Sequence, residues 1–271
     1  MIRPMRRSDV ADAMELKESA GWNQTTADWE LLLAVEPEGC WVYEADGRAV
    51  GATTAVAYEK ELAWIGMVLV LPEYRRRGIA RALLSHALDW CDRRGIECVK
   101  LDATEMGRPL YLQAGFVDEE PIERWGGTAR TSEGELAERL GAADETAAQD
   151  RAAFGAERGR ILQRLVAARP AEAWTASNGY ALTRPGSRAR FFGPCVADDA
   201  AAAGRLARAA LAHCSGEAVF WDLLPANQGA VELARDLGFE PLRRLMRMAR
   251  PAARKYGRPE RVFAACGFEY G

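Results

Sequence analysis

The chain has 271 residues, 28% charged and 49% hydrophobic, with a formal net charge of −3 and a pI near 5.7. Such a balance sets up no global field toward nucleic acid or an anionic membrane surface. No apolar run approaches the roughly 20 residues of a bilayer span, and the charged stretch Met1 to Ala20 is unlike a secretory signal. The expectation is a cytoplasmic protein without nucleic-acid or membrane partners, long enough for two ordinary domains. Six cysteines lack C-x-x-C spacing and the histidines are His86 and His213, so buried free thiols and no metal site are expected.

In chain order, Ile2 to Met5 can form a short strand, and Ser8 is placed to cap a helix to about Ser19, before Gly21. Thr25 and Asp28 fit a capping pattern for a second helix through Val35, which leaves Trp22-Asn23-Gln24 as a tight loop between the two. Cys40 to Glu44 alternates as a strand, Asp46-Gly47 is a hairpin turn, Arg48 to Tyr58 returns, and a third antiparallel strand starts near Leu62. Its continuation, Trp64 to Leu71, is apolar and rich in β-branched residues, and Pro72 ends it.

After Gly78, Ile79, Leu83, Leu84, Ala87, Leu88 and Cys91 recur at helical spacing up to Gly95. The first turn of such a helix has backbone N–H groups without intrahelical partners, and Arg75, Arg76, Arg77 and Arg81 surround it with positive charge. That is an anion site suited to a pyrophosphate. The helix leads to a parallel strand at Cys98 to Ala103, completing a βαβ unit.

Arg75-x-x-Gly78-x-Ala80 resembles the R/Q-x-x-G-x-G/A signature of the GNAT superfamily of acetyl-CoA-dependent N-acetyltransferases. Leu110, Tyr111, Gly115 and Phe116 match a second block of that family, N-x-x-A-x-x-L-Y-x-x-x-G-F, with Thr104 in place of the Asn and Gly107 in place of the Ala. The resemblance implies acetyl-CoA lying along Val68, Leu69 and Val70 and over Arg75, Arg76, Arg77, Gly78, Ile79, Ala80 and Arg81. It also implies that Tyr111 protonates the departing thiolate, a role that a phenol with a pKa near 10 can fill. The loop holding Trp22 and Asn23 would border the acceptor pocket; alternatively Trp22 packs under the loop and Asn23 satisfies backbone groups. The strand before the phosphate loop has no carboxylate. Asp102, on the face opposite Val99 and Leu101, is either a proton acceptor or a buried ion-pair partner.

From Val117 to about Asp150 the apolar pattern thins, with Pro121 to Trp125 as a last strand and Glu133 to Leu140 and Glu145 to Phe154 as solvated helices. Arg158 to Ala168 is an amphipathic helix. The second half then repeats the first: strands at Ala173 to Ala176, Gly179 to Arg184 and Arg190 to Val196, a helix at Ala200 to His213, and a strand at Ala218 to Leu223. Asn227, Ala230, Leu233, Gly238 and Phe239 match the second block, with Ala234 where the Tyr belongs and Asp222 where the first repeat has Asp102. Asp198 and Asp199 stand where a phosphate loop would, and two carboxylates there repel a pyrophosphate. The arginines between Arg243 and Arg261 alternate with apolar residues as on an exposed strand or helix face.

These features predict a mixed α/β sheet protein with two tandem GNAT-like domains. Residues 1–127 form the catalytic domain, 128–155 a helical linker, and 156–271 a degenerate domain that supports the first. The activity implied is acetyl transfer from acetyl-CoA to a small-molecule or peptide amine, without metal; a homodimer is left open. The competing class is a non-catalytic acyl-CoA-binding or sensing module.

Overall fold

The computed structural model describes residues 1–131, 137–176, 178–251 and 257–271. The first half runs β1 (Ile2–Pro4), α1 (Val10–Ser19), α2 (Thr26–Val35), β2 (Cys40–Ala45), β3 (Arg48–Tyr58), β4 (Leu62–Val70), α3 (Ile79–Arg93), β5 (Cys98–Ala103), α4 (Arg108–Gln113) and β6 (Val117–Thr128). It continues through β7 (Glu138–Arg139), α5 (Ala147–Phe154) and α6 (Gly159–Ala168). The second half is β8 (Ala173–Thr175), β9 (Gly179–Arg184), β10 (Arg190–Ala197), α7 (Ala200–His213), β11 (Ala218–Leu223), α8 (Gln228–Asp236), β12 (Glu240–Arg250) and β13 (Val262–Ala264). No helix among the described residues is long and apolar enough to cross a membrane.

Local chemistry sets most boundaries. Asp46 and Gly47, at φ 52° and 78°, close the two-residue turn whose positive dihedrals match strand twist. The Asp28 carboxylate accepts from the backbone N–H and the hydroxyl of Thr25 at 2.7 and 2.8 Å, capping α2. At α1 the structure corrects the expectation: a short 3-10 turn at Arg7–Asp9 precedes the helix, and Asp9 rather than Ser8 accepts from the Arg6 N–H, at 2.7 Å. β3 is buried along nearly its whole length because α1 and α3 both pack on it, which is why it reads as a continuous apolar run.

One sheet runs through both halves, in the order β1-β2-β3-β4-β5-β12-β6-β11-β10-β9-β8-β7. The two repeats exchange strands. β6 lies between β12 and β11 of the second half, and β12 pairs with β5 of the first. The stretch from Arg243 is therefore not an exposed face: Leu245, Met248 and Ala249 are core residues and Arg247 is buried, while Arg254 lies outside the described residues. β6 is twelve residues long, well beyond Pro121 to Trp125, because it has a strand on each side. Of the helix expected at 133–140, residues 133–136 lie outside the described residues, and Glu138–Arg139 pair with β8 as a strand.

The exchange is pinned by two reciprocal ion pairs between directly opposed residues. Arg247 on β12 faces Asp102 on β5 and donates to its two oxygens at 2.9 and 3.1 Å. Arg124 on β6 faces Asp222 on β11 and donates at 2.7 and 2.7 Å. Each aspartate occupies the same place in its repeat, and each arginine comes from the strand the other repeat donates. Both pairs are buried, so an aspartate without its arginine would be a desolvated, uncompensated charge.

The repeats differ at one cleft. β4 and β5 pair in parallel only from Leu62–Cys98 to Trp64–Lys100 and then part. β10 and β11 part in the same way after Phe192–Trp221. In the second repeat β13 fills the gap, pairing with β10 at Cys195 and Val196, while the Ala265 N–H donates to the Asp222 carbonyl at 2.8 Å and the Trp221 indole to the Phe263 carbonyl at 2.7 Å. The chain then crosses to the first repeat, where Trp64 and Tyr58 donate to the carbonyls of Phe268 (3.0 Å) and Tyr270 (2.6 Å).

The reciprocal pairs lead to a stability prediction. Asp222→Ala should lower the urea-unfolding free energy by about 3–5 kcal/mol, the usual cost of orphaning one buried partner. Combining it with Arg124→Met should recover most of that loss. A single-variant loss below about 1 kcal/mol, as for a solvated pair, would contradict this role.

Candidate active site

Halfway along β4 the ladder to β3 slips. Ala52 faces Leu69 and Thr54 faces Gly66, so Met67 and Val68 together oppose Thr53. Met67 sits at φ 53°, a left-handed conformation that a non-glycine residue adopts at a cost of about 1–3 kcal/mol. The bulge re-aims the strand just where its other edge has lost β5. From Ile65 onward that edge therefore offers backbone donors and acceptors to another extended chain. Val68 and Val70 are half-buried, whereas the Leu69 side chain belongs to the core and leaves only its backbone for a ligand.

Beyond β4 the chain turns through Arg76 and Gly78, at φ 61° and 79°, into α3. A Cβ at Gly78 would meet nothing within 4 Å, so the dihedral rather than crowding calls for glycine. No side chain caps the first turn of α3, leaving its N–H groups for an anion. Around it, Arg75 donates to the Val70 carbonyl (3.1 Å), Arg77 to the Glu73 carbonyl (2.7 Å) and Arg81 to Gln113 (2.8 Å). All partners are neutral, so the charges stay uncancelled on an exposed loop. Ala80 is half-buried beside it, but the Ile79 side chain enters the core.

Where β4 and β5 part, a cavity opens. The β4 bulge and Tyr111 of α4 line it from the first repeat, together with Trp22 and Gln24. Arg124, Arg243, Phe268 and Glu269 reach it from the exchanged strands and the final crossing segment. Tyr111 is buried, packs edge-to-face on Phe116 at 6.0 Å, and burial pushes its phenol further up from 10. Its hydroxyl has no hydrogen-bond partner among the described residues. The Thr104 hydroxyl, where the family block has Asn, accepts from the Gly107 N–H at 3.1 Å and closes the turn before α4. A Cβ at Gly107 would lie 3.1 Å from the Tyr111 ring, which accounts for glycine there.

Trp22 is half-buried and lines the cavity. Asn23 does not line it, and of the two roles open to it, acceptor contact or satisfying backbone groups, its hydrogen bonds fit the second. Its amide donates to the Ala189 carbonyl at 2.9 Å and its carbonyl accepts from the N–H groups of Arg188 and Ala189 at 2.9 and 3.0 Å, fastening the β9–β10 hairpin to the α1–α2 loop. Asp102 reaches the cavity wall with both oxygens held by Arg247. Burial lifts its carboxyl above the ordinary range against the pull of that arginine.

The carboxylate that sequence reading missed is Glu269. It is buried, accepts from Arg184 at 2.9 Å and from the Gln24 amide at 2.8 Å, and shares Arg184 with Asp28, 3.4 Å away. Burial raises its pKa, Arg184 draws it down, and Asp28 pushes it up again. Gly66 is a glycine because the Glu269 backbone runs 3.0 Å from where its Cβ would be. The sequence signal was slight: one acid between Phe268 and Tyr270, more than 150 residues from the motifs it joins.

The α3 loop is open to test with a matched pair of variants. Asn and Asp both tolerate positive φ, so Gly78→Asn and Gly78→Asp differ mainly in one charge. By calorimetry the Asn variant should bind CoA at least about tenfold more tightly than the Asp variant, a difference of about 1.4 kcal/mol. Equal affinities would put the pyrophosphate elsewhere.

Comparison with known proteins agrees with this geometry. Residues 7–116 match the model described as "Acetyltransferase (GNAT) family", and residues 147–264 match a second, "Acetyltransferase (GNAT) domain". An uncharacterized N-acetyltransferase, YitH, of Bacillus subtilis is 26% identical over 214 residues, 74% of each chain. A putative acetyltransferase from Pyrococcus horikoshii superposes with a TM-score of 0.89 at 24% identity, over 100% of this chain and 95% of that one. A tandem GNAT protein from the clavulanic acid biosynthesis pathway superposes at 0.64 with 16% identity, over 93% and 99%; at these identities both structures show the fold alone. Two matches that between them take in most of the chain, on a sheet built from two repeats, make this a tandem-domain acyltransferase of the GNAT N-acetyltransferase family.

Proposed function

We propose that the chain moves an acetyl group from acetyl-CoA to the amine of a small molecule or peptide, with the acetyl-CoA bound by the first repeat alone. The catalytic domain is residues 1–127, linked through 128–155 to residues 156–271, a unit that supports it and lends Glu269 to its cavity. The observation that carries this reading is the meeting, at one cavity, of the unpaired β4 edge and Tyr111, on a strand that runs straight on into the cationic loop before α3. The edge from Val68 to Val70 would take the pantetheine amides as a strand takes a neighbour. Gly78, Ala80 and the backbone of Ile79, with Arg75, Arg76, Arg77 and Arg81, would hold the pyrophosphate.

Glu269 then serves as proton acceptor. An amine entering as ammonium gives it a proton, and the freed nitrogen attacks the thioester carbonyl carbon. Backbone N–H groups at the Met67 bulge stabilise the oxyanion. As the C–S bond breaks, Tyr111 donates its proton to the sulfur. The proton that the attacking nitrogen must still lose returns to the Tyr111 phenolate directly or through water, and Glu269 releases its proton to solvent. The products are an N-acetyl amide and free CoA thiol, with the enzyme restored and no acyl-enzyme formed. Glu269 is preferred to Asp102 because its single cation is shared with Asp28 and its other donor is neutral, whereas Asp102 has Arg247 to itself. The second repeat is assigned support, since β13 occupies the cleft that would take pantetheine and Asp198 and Asp199 flank the start of α7.

Two variants test the roles. Tyr111→Phe should fold, bind CoA as the parent does, and lose about 100- to 10,000-fold in turnover; full activity across the pH range would assign sulfur protonation to water. A base must be unprotonated to act, so kcat/KM should fall as pH drops through the Glu269 pKa. Because that pKa is raised, the acid limb should lie above the ordinary Glu value of about 4.3. Glu269→Gln should remove the limb along with most of the rate. An unchanged limb would return the base role to Asp102 or water.

A further inference from the structure

The cavity holds two buried polar atoms without partners, and they are opposite in kind. Gln24 Oε1 is an acceptor with no donor, and Arg243 Nε a donor with no acceptor. The Gln24 orientation is fixed, since its Nε2 must face the Glu269 carboxylate. A buried polar group left unpaired is expensive, and the other unpartnered atoms, on Trp29, Arg48 and Thr54, belong to residues that do not line this cavity.

The charges divide in the same way. Arg124 is matched by Asp222 and Asp102 by Arg247. Glu269 and Asp28 share one cation, Arg184, which leaves an excess of negative charge beside Gln24. Arg243 has no carboxylate partner among the described residues. It faces the Phe268 ring at 5.5 Å, and burial first, then the neighbouring Arg124 and Arg188, disfavour its charge against the pull of Asp222, which Arg124 already pairs. One part of the cavity thus lacks a cation with N–H donors, and another lacks an anion with acceptor oxygens.

We infer that the acceptor is an amine that also carries a carboxylate, a free amino acid or a compound of that class, with its ammonium at Gln24 and Glu269 and its carboxylate on Arg243. This rests on the acetyltransferase reading and narrows its substrate. A guanidinium is suited to the task because its Nε and one Nη can donate in parallel to two carboxylate oxygens. An acceptor without the carboxylate leaves the buried Nε of this half-buried arginine unpaired, and that difference is the source of discrimination.

The test is thiol release from acetyl-CoA with matched acceptors: α- and ω-amino acids, the corresponding carboxamides, and the decarboxylated amines. The wild type should favour a carboxylate over its carboxamide by about 10- to 100-fold in kcat/KM, as expected for one charge-assisted contact. In Arg243→Gln that ratio should fall toward one, mainly through KM; Arg243→Lys should restore part of it, and Arg243→Glu should invert it toward the decarboxylated amines. Acetyl-CoA affinity, measured by calorimetry on each variant, verifies that the site is folded. Carboxamides or simple amines used as well as or better than the acids, or a ratio unmoved in Arg243→Gln, would overturn the inference and leave the acetyltransferase reading standing. No thiol release with any amine would defeat both.

Discussion

The structure depends on the reciprocal arginine–aspartate pairs that hold two exchanged strands in one sheet. Without Arg247 opposite Asp102 and Arg124 opposite Asp222, burying β12 against β5 and β6 against β11 would leave bare carboxylates in the core. With them, the pairing is fixed in register as well as in energy, since a one-residue slip would turn each aspartate to the opposite face. The exchange also brings residues of the second repeat to the wall of the cavity in the first. Arg124 and Arg243 arrive on exchanged strands, and Phe268 and Glu269 on the segment that follows β13.

That segment gives the molecule its asymmetry. Both repeats have parallel strands that pair at one end and part at the other, which is the opening a pantetheine arm needs. In the second repeat the opening is taken by Val262–Ala264, and the indole of Trp221 and the backbone of Asp222 anchor the chain there. The same chain then carries Glu269 past Gly66 into the first cavity. In the proposed reading, loss of one cofactor cleft and completion of the other acceptor pocket are linked by the stretch of backbone from Val262 to Glu269.

What was legible in the sequence was local. The Asp46-Gly47 hairpin, the Thr25–Asp28 cap and the β4–loop–α3 unit follow from patterns within about thirty residues that depend on backbone preference or apolar periodicity, and the internal repeat is legible as two such local patterns recurring. What was hidden was long-range pairing. Arg247 looked like one of several surface arginines because nothing nearby in sequence reveals that its strand lies between two others. Asn23 sat in the right loop with the right chemistry for a ligand, yet its partners, at 188–189, belong to a hairpin 165 residues away. Glu269 carries no motif; its importance comes from the path of the chain. The equivalent positions of Asp102 and Asp222 were visible as a repeat, but not that each is answered by the other repeat's arginine.

The central claim is that one repeat binds the acyl donor while the other has closed its cleft with its own backbone. Calorimetric titration of the full chain with acetyl-CoA tests this most directly. The account predicts a single site per chain, with an affinity nearly unaffected by substitution of Asp198 or Asp199. Two equivalent sites per chain would contradict it.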